Sequence, residues 1–259
     1  MTTHHVVILA AGLGSRLGSD GPKCLNELPD GRTILRQQVD NVRSVMGPAA
    51  PISIVVGFSA VAIMEHVGGV RYIYNQHFAR TNTNRSLLLA VDVLRDSHLI
   101  WMNGDVVFDP EVLSRLRCRL DAGDSAIAVN TSRVADEEVK YVTDSRGLVS
   151  ELSKSVSVED ALGEAVGVNA VHAGHLGALR TGLAACDDQD YFERGIELMI
   201  ARAGVRVRPV DISDLYAVEV DTPEDLRHAR ALYSAVLQAQ DAQAAGEAAR
   251  PEVTHAVNV

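Results

Sequence analysis

Short runs of apolar and β-branched residues alternate with helical hydrophobic patterns through the first half of the chain. Strands are predicted at 5–9, 52–56, 70–74, 98–103 and 125–130, and helices at about 33–46, 59–66, 84–95 and 110–119. This alternation is typical of βαβ units, in which a helix connects two parallel strands. The pattern therefore predicts an α/β fold with a mixed, mostly parallel sheet flanked by helices.

The alternation changes after residue 137. Two short strands, at 139–143 and 147–153, flank an Asp-Ser-Arg-Gly turn, which indicates a small β-hairpin insertion. The remaining predicted elements are a strand at 165–172, helices at 174–185 and 190–203, strands at 205–211 and 216–220, and a helix that begins after Thr222 and Pro223. From residue 238 the chain is rich in Ala, Gln and Glu and then loses apolar periodicity. We therefore predict one domain at 1–237, followed by a frayed helix end and a disordered tail at 238–259.

Composition and charge narrow the range of partners. The 259 residues carry a net charge of −10, and 47% of them are hydrophobic, which is enough for one large domain with a buried core. An acidic chain disfavours a nucleic-acid partner, because binding to a phosphate backbone needs clustered Lys and Arg. No apolar run has the length of a membrane span and no signal peptide is recognisable, so we predict a cytoplasmic protein without a membrane partner. The three cysteines lie far apart, which favours reduced thiols.

The most informative segment is residues 8–25, with the sequence ILAAGLGSRLGSDGPKCL. A predicted strand ends in small residues and leads into a loop that contains Gly12 and Gly14, with Arg16 inside it and Lys23 after it. Small residues allow a ligand to approach the backbone, and free N–H groups at a strand-to-helix turn bind anionic oxygens. The two cations add charges suited to a polyphosphate. The segment therefore predicts a phosphate-binding loop.

The glycine spacing excludes two better-known motifs. The P-loop requires G-x-x-x-x-G-K-[ST], and dinucleotide-binding folds require G-x-G-x-x-G, whereas this loop reads G-x-G-x-x-x-G. No tyrosine has a lysine four residues later, which argues against a short-chain dehydrogenase. The segment instead resembles the L-A-A-G-x-G-x-R…P-K signature of the nucleotidyltransferase family with a glycosyltransferase-A-like fold. Members of that family join a nucleoside triphosphate to a phosphorylated acceptor and release pyrophosphate.

The resemblance extends over residues 5–235 and is strongest to the phosphocholine and phosphonate cytidylyltransferase branch. The stretch at 75–87 is similar to the N-x-x-[YF]-x-x-T-N-x-x-x-S-L of that branch, and later runs are similar to its I-S-K lysine, its G-E-x-x-G-[IV] strand and its Y-[YF]-E helix start. The resemblance implies a Rossmann-like sheet of the nucleotide-diphospho-sugar transferase type, with the predicted hairpin as an insertion. It also implies CTP as the nucleotide, since the residues alone would suit either pyrimidine.

Two aspartates at predicted strand ends are candidate metal ligands. From the residues alone, Asp105 belongs to a common Gly-Asp turn and Asp221 could cap the helix that follows it. The resemblance implies magnesium-binding aspartates at both positions. Because Mg²⁺ often binds one or two carboxylates together with phosphate oxygens, Asp105 and Asp221 are the predicted metal ligands. Strand alternation puts Glu219 on the same face as Asp221.

The predicted site residues follow from the residue types themselves and from the family resemblance. The predicted catalytic residues are Arg16, Lys23, Asp105, Lys154 and Asp221. The predicted nucleotide-binding residues are Leu9, Ala10, Ala11, Gly12, Gly14, Ser15, Arg16, Lys23, Asn82 and Ser86. The predicted acceptor-binding residues are Arg85, Lys154, Glu164 and Glu193. A lone lysine on a hairpin is usually a solvated charge, and it is the resemblance that implies a contact between Lys154 and the phosphoryl group of the acceptor.

Arg85 indicates the kind of acceptor. Choline recognition needs an aromatic cage, yet aromatic residues make up only 4% of the chain, and Arg85 stands where the resembled branch often has an aromatic residue. A guanidinium repels choline and attracts carboxylate or phosphate. We therefore expect a phosphonate, or an acidic or hydroxylated phosphate ester, rather than phosphocholine.

The sequence thus predicts a CTP-dependent cytidylyltransferase that joins CMP to a phosphonate or phosphorylated small molecule and releases pyrophosphate. A sugar-1-phosphate uridylyl- or guanylyltransferase is an alternative, because it would share every phosphate-binding residue named above. A non-catalytic nucleotide-binding regulator is a second alternative, although a binding module would not need both carboxylates and all three cations. The oligomeric state is open, with a homodimer as one option.

Overall fold

The structure is a computed structural model, and it describes residues 3–14, 21–94, 96–132 and 134–248. The strands within these ranges are β1 (Thr3–Ala10), β2 (Ile52–Val56), β3 (Arg71–Tyr74), β4 (Ser97–Asn103), β5 (Val106–Phe108), β6 (Ser125–Asn130), β7 (Lys140–Thr143), β8 (Val149–Ser153), β9 (Gly163–Val171), β10 (Val207–Asp211) and β11 (Ala217–Glu219). The α-helices are α1 (Ile34–Met46), α2 (Ala60–His66), α3 (Thr83–Val93), α4 (Glu111–Asp121), α5 (Leu176–Ala184), α6 (Phe192–Ala203) and α7 (Pro223–Ala248). None of these helices combines the length and the apolar character that a membrane span requires.

The central sheet has the strand order β10-β6-β9-β4-β1-β2-β3. Strand β9 runs antiparallel to its neighbours β4 and β6, and the other neighbouring pairs on this path are parallel. The predicted hairpin is formed by β7 and β8, and β7 joins it to the sheet by pairing with β9. The predicted α/β fold with a mixed, mostly parallel sheet is confirmed.

Alternating residues of the buried strands build the two halves of the core. On β1, Val6 and Ile8 pack on one side with α1, α2 and α4, whereas Val7 and Leu9 pack on the other side with α3, α5 and α6. The largest buried side chain, Trp101 of β4, meets Phe192 of α6 edge to face at 5.7 Å between ring centroids. Because both faces are covered, β1 is apolar from Val6 to Ala10 and β4 is apolar from Leu99 to Met102, and the polar Asn103 comes where β4 ends.

A short second sheet was not predicted. Strand β5 spans only three residues directly after the turn that follows β4, and it pairs antiparallel with β11. Both strands pack against α7 through a small cluster that includes Val107, Val218 and Tyr233. Helix α7 extends to Ala248. The division of the chain into 1–237 and a tail stays a prediction, since residues 249–259 lie outside the described ranges.

Asn82 caps the start of α3, and its side-chain oxygen accepts a hydrogen bond from the Thr83 N–H at 2.8 Å. The next two side chains make contacts outside the helix. Asn84 donates to the carbonyl of Asp187, and the Thr83 hydroxyl accepts from the Phe192 N–H at 3.1 Å. Both contacts join α3 to the segment that leads into α6.

Acid should destabilise the fold through His5. Burial, with Arg71 as a second cause, lowers the pKa of His5 to about 4, and its Nε2 lies 2.9 Å from the Ser53 hydroxyl. Between pH 6.5 and 4.5 the unfolded chain binds a proton that the folded protein does not bind. We therefore expect the free energy of unfolding to fall by about 2 kcal/mol over this range on account of His5. Urea denaturation of the wild type, His5→Asn and the exposed control His77→Asn at both pH values measures this loss, and an equal pH dependence in all three would contradict it.

Candidate active site

A cavity of about 350 Å³ lies where β1 and β4 end. One wall consists of backbone and small residues of β1 and of the glycine-rich loop that follows it, which we call the first loop. The turn after β4, the hairpin and the start of α6 form other walls. Its lining includes Leu9, Ala10, Gly12, Lys23, Asn82, Thr83, Asn103, Gly104, Asp105, Glu138, Lys154, Tyr191, Phe192, Glu193, Glu219 and Asp221. Binding at the carboxyl ends of the strands is typical of open α/β sheets.

Lys23 links the two predicted metal ligands at the floor of this cavity. Its Nζ donates to Asp105 Oδ2 at 3.2 Å and also to Asp221 Oδ1. Burial alone would lower the pKa of Lys23, but Asp105 and Asp221 outweigh it and raise the pKa above the ordinary value of a lysine. Lys23 is therefore a firmly charged ammonium held between two carboxylates from distant parts of the chain.

The pairing of β5 with β11 explains why the two aspartates meet. Along this ladder the Val220 N–H donates to the Asp105 carbonyl at 2.9 Å, so the strand that precedes Asp221 is aligned beside Asp105. The cap of α7 leaves the Asp221 carboxylate available for Lys23. Thr222 and Asp225 cap the helix reciprocally, since the Asp225 carboxylate accepts from the Thr222 N–H and the Thr222 hydroxyl accepts from the Asp225 N–H.

The turn before Asp105 requires a glycine. The Gly104 N–H donates to the Leu9 carbonyl at 2.8 Å, and a Cβ at Gly104 would lie only 2.8 Å from the same oxygen. Any larger residue would push the turn away from β1. The glycine thus brings Asp105 close to the residues of the first loop.

Glu219 lies beside the two aspartates in a state that disfavours negative charge. Burial, together with Asp105 and Asp221, raises the pKa of Glu219 well above its ordinary value. Its Oε1 accepts a hydrogen bond from Asn103 Nδ2 at 3.1 Å. Glu219 therefore adds an oxygen to this wall of the cavity without adding a full charge.

The carboxylates suit a hard divalent cation. Asp105 and Asp221 already converge on one positive charge, the ammonium of Lys23, and both present oxygen ligands. Within the described residues, no group of three or more His, Cys, Asp and Glu side chains is arranged to hold a metal ion. Mg²⁺ does not need such a group, because one or two carboxylates with phosphate oxygens and water can complete its shell. Asp105 and Asp221 therefore fit the predicted metal, and phosphate oxygens would have to supply further ligands.

The hairpin and the start of α6 add a cation and a buried carboxyl group to the cavity lining. The Lys154 ammonium lies 5.2 Å from the ring centroid of Tyr191, in cation–π contact. Glu193 is buried, and its Oε2 has no hydrogen-bond partner among the described residues. Burial raises the pKa of Glu193 to about 7, although a hydrogen bond from its own backbone N–H and the charge of Lys154 act in the opposite direction. A buried carboxylate oxygen without a partner in a cavity is an unusual feature for a purely structural residue.

The first loop contains most of the predicted nucleotide-binding residues. Leu9, Ala10 and Gly12 line the cavity, whereas Ala11 is buried behind them. Gly14 has a left-handed φ of +64°. The absence of a side chain at Gly14 leaves room for Lys23, because a Cβ at this position would lie only 3.0 Å from the Lys23 Cγ. The predictions for Ser15 and Arg16 fall outside the described residues.

Three other predicted site residues lie away from the cavity. Arg85 binds Asp188 at 2.8 Å and the Cys186 carbonyl at 2.9 Å, and it lines a separate groove beside α3. Ser86 is buried and accepts from the Asn75 amide at 3.1 Å. Glu164 is buried and accepts from the Ala135 N–H, next to a smaller neighbouring cavity. The argument from Arg85 about the acceptor therefore loses its geometric basis.

Some lining residues were not singled out by the sequence. Tyr191 and Glu138 lie in runs that resemble the cytidylyltransferase branch, which is the signal that could have found them, and Asn103 is the polar residue that ends β4. Cys24 also lines the cavity. Burial raises the pKa of its thiol to about 12, so Cys24 is not a nucleophile at neutral pH.

Comparison with known proteins agrees with this geometry. Residues 6–168 match the MobA-like NTP transferase domain family. The chain is 32% identical over 253 residues to the CMP-5'-(3-aminopropyl)phosphonate synthase of Streptomyces rubellomurinus, with 86% of this chain and 38% of that relative covered. It is 30% identical over 223 residues to the bifunctional protein GlmU of Solibacter usitatus, with 81% and 47% covered. The chain thus spans less than half the length of these relatives.

A solved structure supports the fold. The CTP:phosphocholine cytidylyltransferase LicC of Streptococcus pneumoniae superposes with a TM-score of 0.68 at 18% identity, covering 89% of this chain and 99% of that one. The match of well over half the chain to one domain family, together with a glycine-rich loop, a lysine and two aspartates around a single cavity, establishes the family. The chain belongs to the MobA-like NTP transferase domain family.

Proposed function

We propose that this protein is a nucleotidyltransferase that moves CMP from CTP to a small acceptor that carries a phosphonate at one end and a protonated amine at the other, with release of pyrophosphate. The observation that carries the proposal is the pair of opposite charges that the hairpin and the start of α6 add to the cavity lining. Lys154, supported by the Tyr191 ring, suits the phosphonate. The buried Glu193 carboxyl group, whose Oε2 has no hydrogen-bond partner among the described residues, suits the amine.

The charges of the whole cavity support a cationic acceptor group. Lys23 and Lys154 contribute two positive charges to a lining that also contains Asp105, Glu138, Glu193, Asp221 and Glu219, whose pKa is raised. CTP and a phosphonate bring further negative charge. A divalent metal and an ammonium group on the acceptor would offset this excess of negative charge, whereas an acidic acceptor would increase the excess. The expectation of an acidic or hydroxylated ester, which depended on Arg85, is replaced here by an amino phosphonate.

The names of similar proteins support the same substrates. One relative is a synthase of CMP-5'-(3-aminopropyl)phosphonate, and the solved structure is a CTP-dependent cytidylyltransferase acting on phosphocholine. Cytosine as the base rests on these names rather than on a contact in the cavity. The amine of the first acceptor agrees with the role proposed for Glu193.

The proposed reaction is an in-line displacement at phosphorus. A phosphonate oxygen, already ionised near neutral pH, attacks the α-phosphorus of CTP, so that no general base is needed. One P–O bond forms to the acceptor, the bond from the α-phosphorus to the bridging oxygen breaks, and pyrophosphate leaves with that electron pair. Lys23 and the backbone of the first loop bind the triphosphate, and Lys154 orients the acceptor. Mg²⁺, held by Asp105 and Asp221, would neutralise charge on the reacting phosphates.

A substrate panel tests the proposal. Pyrophosphate release is measured with CTP, UTP, GTP and ATP, each offered with 3-aminopropylphosphonate, 2-aminoethylphosphonate, 2-hydroxyethylphosphonate, phosphocholine and glucose 1-phosphate. We expect CTP with an aminoalkylphosphonate to give the highest kcat/KM. The 2-hydroxyethyl compound is nearly isosteric with the 2-aminoethyl one but uncharged, and we expect it to be about 100-fold poorer.

Other outcomes of the panel contradict the proposal in distinct ways. Turnover of UTP or GTP with glucose 1-phosphate would assign the chain to sugar-nucleotide synthesis. Equal kcat/KM for the amino and hydroxy phosphonates would remove the role of Glu193. Binding of CTP without turnover of any acceptor would favour a nucleotide-binding regulator.

A further inference from the structure

We infer that Lys23 occupies the position between Asp105 and Asp221 that a divalent cation needs, so that lysine and metal compete for the same two carboxylates. The inference rests on the metal site included in the proposed function. It assigns Lys23 a second role besides binding the triphosphate, as a built-in cation that must move before the metal can bind both aspartates.

A metal ion and the Lys23 ammonium would compete for the same two carboxylate oxygens. The Lys23 ammonium lies 3.2 Å from Asp105 Oδ2 and donates also to Asp221 Oδ1, so it is in direct contact with both carboxylates. All three side chains are largely enclosed, with exposed fractions of 12% for Lys23, 19% for Asp105 and 34% for Asp221. Mg²⁺ binds carboxylate oxygens at about 2.0–2.1 Å. A metal held by both oxygens would therefore take the place of the ammonium.

The first loop offers Lys23 a second position. The stem of Lys23 packs against Gly14, where a Cβ would lie 3.0 Å from the lysine Cγ. Gly12 and Lys23 both line the cavity, and the flexible four-carbon stem can carry the ammonium from the aspartates to phosphate groups bound at the loop. An incoming triphosphate thus provides a new anionic partner for Lys23 while the aspartates gain the metal.

This exchange makes metal and nucleotide binding mutually dependent. In the absence of a triphosphate, a metal ion must displace an ammonium that has two ionic partners, so we expect the metal ion to bind weakly. Once a triphosphate holds the ammonium, the cost of displacement falls and the affinity for metal rises. By linkage, metal must raise the affinity for the triphosphate by the same factor.

Metal affinity without substrate tests the inference. Mn²⁺ alone is titrated into the wild type, Lys23→Met and Lys154→Met at pH 8, with free Mn²⁺ measured by its EPR signal. We expect Lys23→Met to bind Mn²⁺ at least tenfold more tightly than the wild type, because a positive charge is removed from between the ligands. Lys154→Met, which removes a cavity lysine that contacts the Tyr191 ring rather than the two aspartates, should stay within threefold of the wild type.

A second arm measures the linkage. A non-hydrolysable CTP analogue with a methylene group between the α- and β-phosphates should tighten Mn²⁺ binding at least tenfold more in the wild type than in Lys23→Met. Equal or weaker Mn²⁺ binding by Lys23→Met than by the wild type would overturn the inference. Lys23→Gln, which keeps a hydrogen-bonding side chain without charge, gives the same comparison if the methionine variant does not fold.

The two proposals fail separately. The Mn²⁺ titration uses neither an acceptor nor turnover, so tighter binding by Lys23→Met would support the exchange even if the panel identified another base or acceptor. Conversely, turnover of CTP with an aminoalkylphosphonate combined with unchanged Mn²⁺ affinity in Lys23→Met would leave the proposed function intact and reject the exchange.

Discussion

Asp105→Asn and Asp221→Asn are each expected to lower kcat by about 10³-fold or more, with little loss of stability. An asparagine keeps the shape of the side chain but removes the charge that binds a divalent cation and Lys23. The fold around Asp105 should persist, because its main-chain carbonyl, not its carboxylate, accepts the hydrogen bond from Val220. Steady-state kinetics with CTP and an aminoalkylphosphonate measure the effect.

A surface aspartate supplies the matched control. Asp214 forms an exposed ion pair with Arg115, outside the cavity. Asp214→Asn should therefore leave kcat within twofold of the wild type, and thermal melting should show that all three variants are folded. Activity of Asp105→Asn or Asp221→Asn within tenfold of the wild type would contradict the metal role of these residues.

Glu193→Gln is expected to raise the KM for an aminoalkylphosphonate about 100-fold while changing the KM for CTP less than threefold. The substitution removes the negative charge that the ammonium group of the acceptor would meet, but it keeps the size of the buried side chain. Glu197, one turn further along α6, is the matched control. It accepts from the Leu152 N–H outside the cavity, and Glu197→Gln should leave both KM values nearly unchanged.

The same carboxyl group predicts a pH dependence. Because burial raises the pKa of Glu193 to about 7, the group is largely ionised above pH 7 and becomes protonated below it. The KM of the wild type for the amino acceptor should therefore rise as the pH falls from 8 to 6, and Glu193→Gln should lack this rise. A pH profile that is the same in both enzymes would exclude Glu193 as the group that binds the amine.

Local patterns predicted the part of the site that is close in sequence. The apolar strand, the glycine-rich loop and Lys23 form one continuous segment, and the resemblance to known nucleotidyltransferases added Asp105 and Asp221. The structure supplies the reason why these two aspartates meet: the pairing of β5 with β11. A three-residue strand such as β5 is too short for an alternation of apolar and polar residues to be recognised in the sequence.

Long-range contacts explain why Arg85 and Glu164, which were predicted to bind the acceptor, lie away from the cavity. Arg85 pairs with Asp188 and Glu164 accepts from Ala135, and these contacts join residues 103 and 29 positions apart. No local pattern shows that such side chains are already engaged. No local pattern indicates that Glu193 is buried with one carboxylate oxygen unpartnered among the described residues, because burial depends on how α6 packs against the hairpin.

The most direct test of the proposed reaction is the ³¹P NMR spectrum of the products formed from CTP and 3-aminopropylphosphonate. Attack by the phosphonate oxygen on the α-phosphorus predicts a new phosphonate signal and a new phosphate signal that are coupled to each other, together with an equal amount of pyrophosphate. Formation of CMP and pyrophosphate with an unchanged phosphonate signal would mean that water, not the acceptor, is the nucleophile, and it would contradict the proposed transfer.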